Sequence, residues 1–128
     1  MAPESSQQEM HVLVVSDDVL LRDQARWAFP AGVTVSFAVD SRDAWKQLQE
    51  RAPSVVVVDM QTGNAGGYGL TRDMAEDEHL ARVPVVILLE REQDEWLARS
   101  SGATAYRTKP LPLGELVREV LTAAQRGD

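Results

Sequence analysis

The chain has 128 residues, 44% of them hydrophobic and 26% charged, no cysteine, and a formal net charge of −7. That is the size of one ordinary domain with a single core, able to bury roughly 65–70% of its unfolded surface without staples. The absent cysteines exclude a disulfide framework, thiolate zinc sites and cysteine nucleophiles and fit a reducing, cytoplasmic setting, while the negative charge argues against holding nucleic acid through its phosphates.

The polar N-terminus, MAPESSQQEM, lacks the apolar stretch expected of a signal peptide and is expected to be a flexible tail over residues 1–10 ahead of one domain over 11–126. The longest apolar runs are five or six residues, far short of the ~20 that span a bilayer. His11 to Val15 is a continuous, largely β-branched run that stops at Ser16-Asp17-Asp18. Val19 to Phe29 is helical by content and closes at Pro30-Ala31-Gly32. Val33, Val35, Phe37 and Val39 alternate with smaller or polar residues, the pattern of a half-buried strand near a sheet edge. Asp40 or Ser41 can cap a helix from Arg42 to Arg51, with Ala44, Trp45 and Leu48 on one face. Val55 to Val58 must be buried on both faces, and Asp59 ends the run.

Met60 to Gly69 carries four glycines and reads as a loop, followed by a helix from about Leu70 to Leu80. Val85 to Leu89 is the next strand, ended by Glu90. Gln93 to Ser100 is a short helix with Trp96, Gly102 ends it, and Ala103 to Thr108 is a short strand. After the Lys109-Pro110 turn, Pro112 opens the last helix. There Leu113, Leu116, Val117, Val120, Leu121 and Ala124 form the cleanest helical stripe in the chain. Five strands alternating with five helices predict a doubly wound α/β fold: a parallel sheet covered by helices on both faces.

Ligands of such sheets bind beyond the carboxyl ends of the strands, near the switch in strand order. The residues there are Ser16-Asp17-Asp18, Asp59, Glu90 and Lys109. If the first, third and fourth strands are central, Asp17 and Asp59 converge on one rim with Lys109 nearby. Two carboxylates and an amine suit a hard cation and a phosphate: Mg²⁺ takes oxygen ligands, lysine supplies a point charge, and a carboxylate can attack phosphorus. A plainer reading stands beside this one, because an aspartate after a strand also caps the next helix, and either Asp17 or Asp18 could do so. An aspartate directly after four valines is harder to explain that way. His11 and His79 lack the spacing of a zinc site. The glycine-rich GNAGGYG follows the third strand, not the first, so it is no dinucleotide fingerprint.

The order of these pieces resembles the receiver domain of bacterial two-component response regulators, of the CheY-like type. VLVVSDD with LLR behind it, VVVVDM, Gly67 eight residues after Asp59, PVVILLE and GATAYRTKP carry the resemblance from His11 to about Ala124. It implies a five-stranded sheet of order 2-1-3-4-5. It implies Asp59 as phosphoacceptor, Asp17 as a direct Mg²⁺ ligand, the Gln61 backbone carbonyl as another, Lys109 as the partner of the phosphoryl group, and Tyr106 as the aromatic that reports activation. It also implies a cis peptide at Lys109-Pro110.

The departures from that pattern matter as much. The first acid of the family's pair is Ser16, which can hold the metal only through a water, so Mg²⁺ is expected to bind weakly or not at all. The switch hydroxyl position is Leu89, which has no donor. The small residue beside it is Glu90; pointing inward at ~5 Å from a phosphoryl group, it would cost about 3 kcal/mol per unit charge at an effective dielectric of 20, and pointing outward almost nothing. Gly63 replaces the usual loop proline, and the loop through Asn64 to Gly67 is expected to be more mobile than in a typical member.

The expected function is therefore that of an atypical stand-alone receiver in a phosphorelay, no enzyme beyond its own aspartyl chemistry. Its output would run through protein contacts, largely independent of phosphorylation. Protein partners, a histidine kinase among them, are expected, with no nucleic acid and no membrane. The protein would be a monomer or a weak homodimer through the face of the fourth helix, fifth strand and fifth helix. The chain ends just after the fifth helix, so no DNA-binding domain is expected to follow. A conventional phosphorylated receiver is the first alternative, and a small flavin- or nucleotide-binding protein of flavodoxin type is the second.

Overall fold

A computed structural model of the chain describes residues 10–60 and 66–126. Five parallel strands, β1 (Met10–Val15), β2 (Val33–Ala38), β3 (Val55–Asp59), β4 (Val85–Leu89) and β5 (Ala105–Thr108), form one sheet in the order β2-β1-β3-β4-β5. Five helices join and follow them: α1 (Val19–Ala28), α2 (Ser41–Glu50), α3 (Gly66–Glu76), α4 (Glu95–Ser101), preceded by a 3₁₀ turn at Glu92–Asp94, and α5 (Leu113–Arg126). This is the doubly wound architecture and strand order expected. Met10 already belongs to β1, one residue ahead of the expected tail boundary.

Strand alternation divides the core into two layers. Leu13, Val15, Val56, Val58, Ile87 and Leu89 face α2, α3 and α4, meeting Ala44, Leu48, Leu70, Met74 and Ala98. Val12, Val14, Val55, Val57, Val86 and Leu88 face α1 and α5, meeting Ala25, Leu116, Val120 and Ala123. Because β1, β3 and β4 lie inside the sheet, both their faces are covered, which is why they read as unbroken apolar runs. Each valine so buried contributes roughly 1.5–3 kcal/mol relative to exposure. The edge strand β2 is only half-buried, as its alternation predicts. On the last helix, the buried residues are Leu116, Val120 and Ala123, with Leu113 and Ala124 at the margin of the same stripe.

The third helix is the main departure from the sequence reading. It begins at Gly66 and ends at Glu76, not at Leu70 and Leu80. In sequence these glycines signal a loop, but Gly67 serves close packing. A β-carbon on Gly67 would stand 2.6 Å from Val58 Cγ1 and overlap Met60 Sδ. Only a bare α-carbon lets this helix start so near the end of β3. Thr71 adds a hydrogen bond from its hydroxyl to the Gly67 carbonyl at 2.8 Å. The stretch after Glu76 is a turn anchored by Asp77, whose side chain accepts from the backbone N–H groups of His79 and Leu80. Gly102, at φ +97°, closes α4 in the left-handed conformation that glycine adopts readily.

Candidate functional site

Because β1 and β3 are neighbours in parallel register, with Val15 opposite Val58, the residues after them leave the sheet together. Ser16, Asp17 and Asp59 accordingly line one cavity of about 70 Å³ at the carboxyl ends of the strands, joined by Asp40, Ser41, Met60 and Gly67. The two aspartates singled out from the sequence thus meet at one rim. The sequence marks Asp40 only as a candidate helix cap, beside Ser41. It does cap α2, accepting from Asp43 N at 2.8 Å, but it also faces the cavity. The signal that marked Asp17 and Asp59, an acid directly after a strand, applies to it as well.

Asp59 is buried and both its oxygens are engaged. Oδ2 accepts a 2.8 Å hydrogen bond from the Ser16 hydroxyl. Oδ1 is 2.5 Å from the Lys109 ammonium. Ser16 in turn accepts from the Asp18 N–H at 3.0 Å. The sequence reading gives Ser16 only a water-mediated place at a metal; the structure adds a direct bond from its hydroxyl to the Asp59 carboxylate. The cap of α1 is Asp18, whose Oδ1 accepts from the N–H groups of Leu20 and Leu21, leaving Asp17 to the cavity.

Lys109 reaches the site because β5 pairs with β4. The Lys109 N–H donates to the Leu89 carbonyl at 2.8 Å, fixing the two strand ends side by side. The peptide between Lys109 and Pro110 is cis, as expected. The same pairing decides the orientation of Glu90, which the sequence left open. Its Oε1 lies 3.2 Å from Lys109 Nζ, so the lysine bridges two carboxylates. Burial pulls the Lys109 pKa down, but the hydrogen bonds and charges of Asp59 and then Glu90 outweigh it, leaving the ammonium above the ordinary lysine value.

Leu89 is fully buried among the core residues facing α2 to α4. Tyr106 is half-buried against that same layer. Its hydroxyl accepts from Arg99 Nη1 at 3.2 Å, and the Arg99 guanidinium lies 5.9 Å from its ring centroid. Trp45 packs against this layer as well, whereas Trp96 is 59% exposed on α4. Trp27, which sequence reasoning passed over as helical content, is 79% exposed on α1. Gln61 and the loop of Gly63 and Asn64 lie outside the described residues.

The donor set fits Mg²⁺ in kind, since Asp17 and Asp59 supply hard carboxylate oxygens beside a cavity with room for a small ion and water. It is sparse in number: among the described residues no group of three or more histidine, cysteine or acidic side chains is placed to hold a metal. The hydroxyl of Ser16 stands where a third carboxylate would have helped.

The profile of the response regulator receiver domain matches residues 12–121. The chain belongs to that family. Among curated proteins it is 33% identical over 120 residues to the virulence transcriptional regulatory protein PhoP of Salmonella typhimurium strain LT2, and 32% identical to the transcriptional regulatory protein PhoP of Escherichia coli K12. Each alignment takes in 91% of this chain and 53% of the relative, so the chain spans about half the length of those proteins. Among solved structures, the receiver domain of the Francisella response regulator 1452 superposes with a TM-score of 0.80 at 24% identity, covering 94% of this chain and 100% of that one. The receiver domain of the sensor histidine kinase PA1611 of Pseudomonas aeruginosa PAO1, determined with a magnesium ion coordinated in its active-site cleft, gives 0.77 at 21% identity, covering 91% and 98%. These likenesses show the receiver fold.

The family match displaces the flavodoxin-type alternative, and the first loop agrees. The N–H groups of Leu20 and Leu21 that would greet a flavin phosphate already bind Asp18. This is thus a receiver domain of two-component signalling. Among the described residues no helix is long and apolar enough to cross a membrane.

Proposed function

We propose that residues 11–126 form an atypical receiver with a degenerate Mg²⁺ and phosphoryl site, whose output runs through protein contacts and depends little on phosphorylation. One observation carries this reading: the Asp59 carboxylate takes its second hydrogen bond from the Ser16 hydroxyl and not from a site shared with another acid, while buried Leu89 offers no donor to a phosphoryl oxygen. A phosphoryl group adds about −1.5 to −2 charges. It can move the domain only through contacts that differ between two states. With leucine at the switch position the main such contact is missing, so Tyr106 and Arg99 have nothing to follow.

Asp59 remains the phosphoacceptor and Lys109 its partner. Asp17, Asp59 and the Gln61 carbonyl would hold Mg²⁺, with Ser16 contributing at most through water. When bound, the ion would neutralise charge on an incoming phosphoryl group. The reading assigns the protein to the cytoplasm, with a histidine kinase among its partners, and places output on the face of α4, β5 and α5, where Trp96 is exposed. A conventional phosphorylated receiver is the second reading. The close Lys109–Asp59 pair favours it, because that pair is what a working site needs.

Incubation with acetyl phosphate and Mg²⁺, followed by intact-mass measurement of the wild type and Asp59→Asn, tests the first reading. Trace labelling that disappears in the variant is expected. Labelling of most of the protein would favour the conventional receiver.

A further inference from the structure

Lys109 has three N–H donors, and two are already aimed at carboxylates: Asp59 at 2.5 Å and Glu90 at 3.2 Å. The second partner is built in by the sheet. Leu89 and Thr108 are paired in register, and the Lys109 N–H is bonded to the Leu89 carbonyl, so Glu90 and Lys109 leave the same edge at the same height. Glu90 is only part-buried, and neither the core nor a helix cap explains where it points. We infer that Glu90 is an internal competitor for Lys109, holding the amine that a phosphoryl group on Asp59 needs, and so sets how readily this site is phosphorylated.

This rests on the weak-phosphorylation reading above and gives it a second cause besides Leu89. In the reaction, an Asp59 carboxylate oxygen bonds to phosphorus as the bond from phosphorus to the acetate oxygen of acetyl phosphate breaks. Acetate leaves with the electron pair and no proton moves. The phosphoryl oxygens then draw on Lys109, an ammonium whose charge and donors Glu90 already shares. A carboxylate already in place is favoured over a phosphoryl anion that must arrive, since holding it costs no association entropy. Its charge also opposes the incoming group.

The test compares Glu90→Gln and Glu90→Ala with the wild type and with Glu92→Gln, a nearby exposed acid that serves as a charge control. Two quantities are read: the rate of Mg²⁺-dependent labelling by acetyl phosphate, and the NMR signals of the Lys109 ε-methylene in the phosphodonor-free protein. Coupling between residues in direct contact corresponds to about three- to tenfold faster labelling in both Glu90 variants, with the Lys109 signals displaced and neither quantity changed in Glu92→Gln. Unchanged labelling in both Glu90 variants, or unmoved Lys109 signals, would overturn the inference. The two claims fail separately. Strong wild-type labelling that rises further without Glu90 sinks the weak-site reading and leaves the competitor standing. Trace labelling that no Glu90 variant improves does the reverse.

Discussion

The Ser16 hydroxyl donates to Asp59 Oδ2 across 43 residues of sequence at 2.8 Å, and both groups are buried. This bond joins the rim ends of β1 and β3 at a position where a second acid would instead add negative charge. Truncating Ser16 to alanine leaves a buried carboxylate oxygen without a donor, which costs about 1–3 kcal/mol. Urea unfolding at neutral pH should show that loss. Ser16→Asp should instead place two acids side by side, lowering stability without metal and regaining it in millimolar Mg²⁺ by mass action. A wild type that gains as much from Mg²⁺ as Ser16→Asp would show that Ser16 does not limit metal binding.

Gly67 and Gly69 share a helix but have opposite surroundings. A β-carbon at Gly67 meets Val58 and Met60, whereas one at Gly69 meets nothing within 4 Å. Gly67→Ala should cost about 1–3 kcal/mol through overpacking. Gly69→Ala should stabilise by about 0.5–1 kcal/mol through helix propensity. Thermal unfolding of the two variants decides this, and equal effects would mean that α3 does not begin against β3.

Leu89→Thr introduces the missing hydroxyl at a fully buried position. Losing apolar contacts and burying a polar group should lower stability by about 1–3 kcal/mol. The same variant should gain a response of the Tyr106 ring to a phosphoryl mimic that the wild type lacks. NMR of Tyr106 in the presence of beryllofluoride reads it. A silent Tyr106 in Leu89→Thr would mean that the hydroxyl is not what the switch lacks.

At the other end of the sheet, His11 Nε2 is 2.7 Å from Ser36 Oγ, while buried Nδ1 has no hydrogen-bond partner among the described residues. Burial and the nearby Arg51 charge hold the His11 pKa below its ordinary value of 6.5. The fold therefore keeps the imidazole neutral, while the unfolded chain takes up a proton first as pH falls. Stability owed to this group is whole above about 6.5 and is lost as pH drops through the lower folded value. His11→Gln should flatten that part of the stability profile measured by urea unfolding between pH 7.5 and 5, values that bracket the ordinary histidine range of about 6.5. An unchanged slope would exclude His11 as its source.

Much of this was legible in the chain because buried parallel strands leave an unambiguous trace. The four valines of β3 and the apolar run of β4 fixed the centre of the sheet, and the acids and lysine after the strands then fell on one rim. What eluded the sequence depended on distance across the fold. Glycines 66, 67 and 69 signal a loop in isolation, and the tight helix–strand approach at Gly67 shows only once Met60 and Val58 are in place. The bond from Ser16 to Asp59 and the choice of Glu90 to face Lys109 are likewise consequences of strand register. No local pattern encodes them. Trp27 was hidden by its own context, since an exposed tryptophan and a core one look alike in an amphipathic stretch.

The central claim is that occupying Asp59 does not drive this domain to a second state. Titrating the wild-type protein with Mg²⁺ and beryllofluoride while following the Tyr106 ring and the backbone amides of β4, β5 and α4 by NMR tests it most directly. The account predicts small shifts confined to Asp59 and its immediate rim, with Tyr106 unmoved. Saturable binding with large shifts spreading through β5 to Tyr106 and α4 would contradict it.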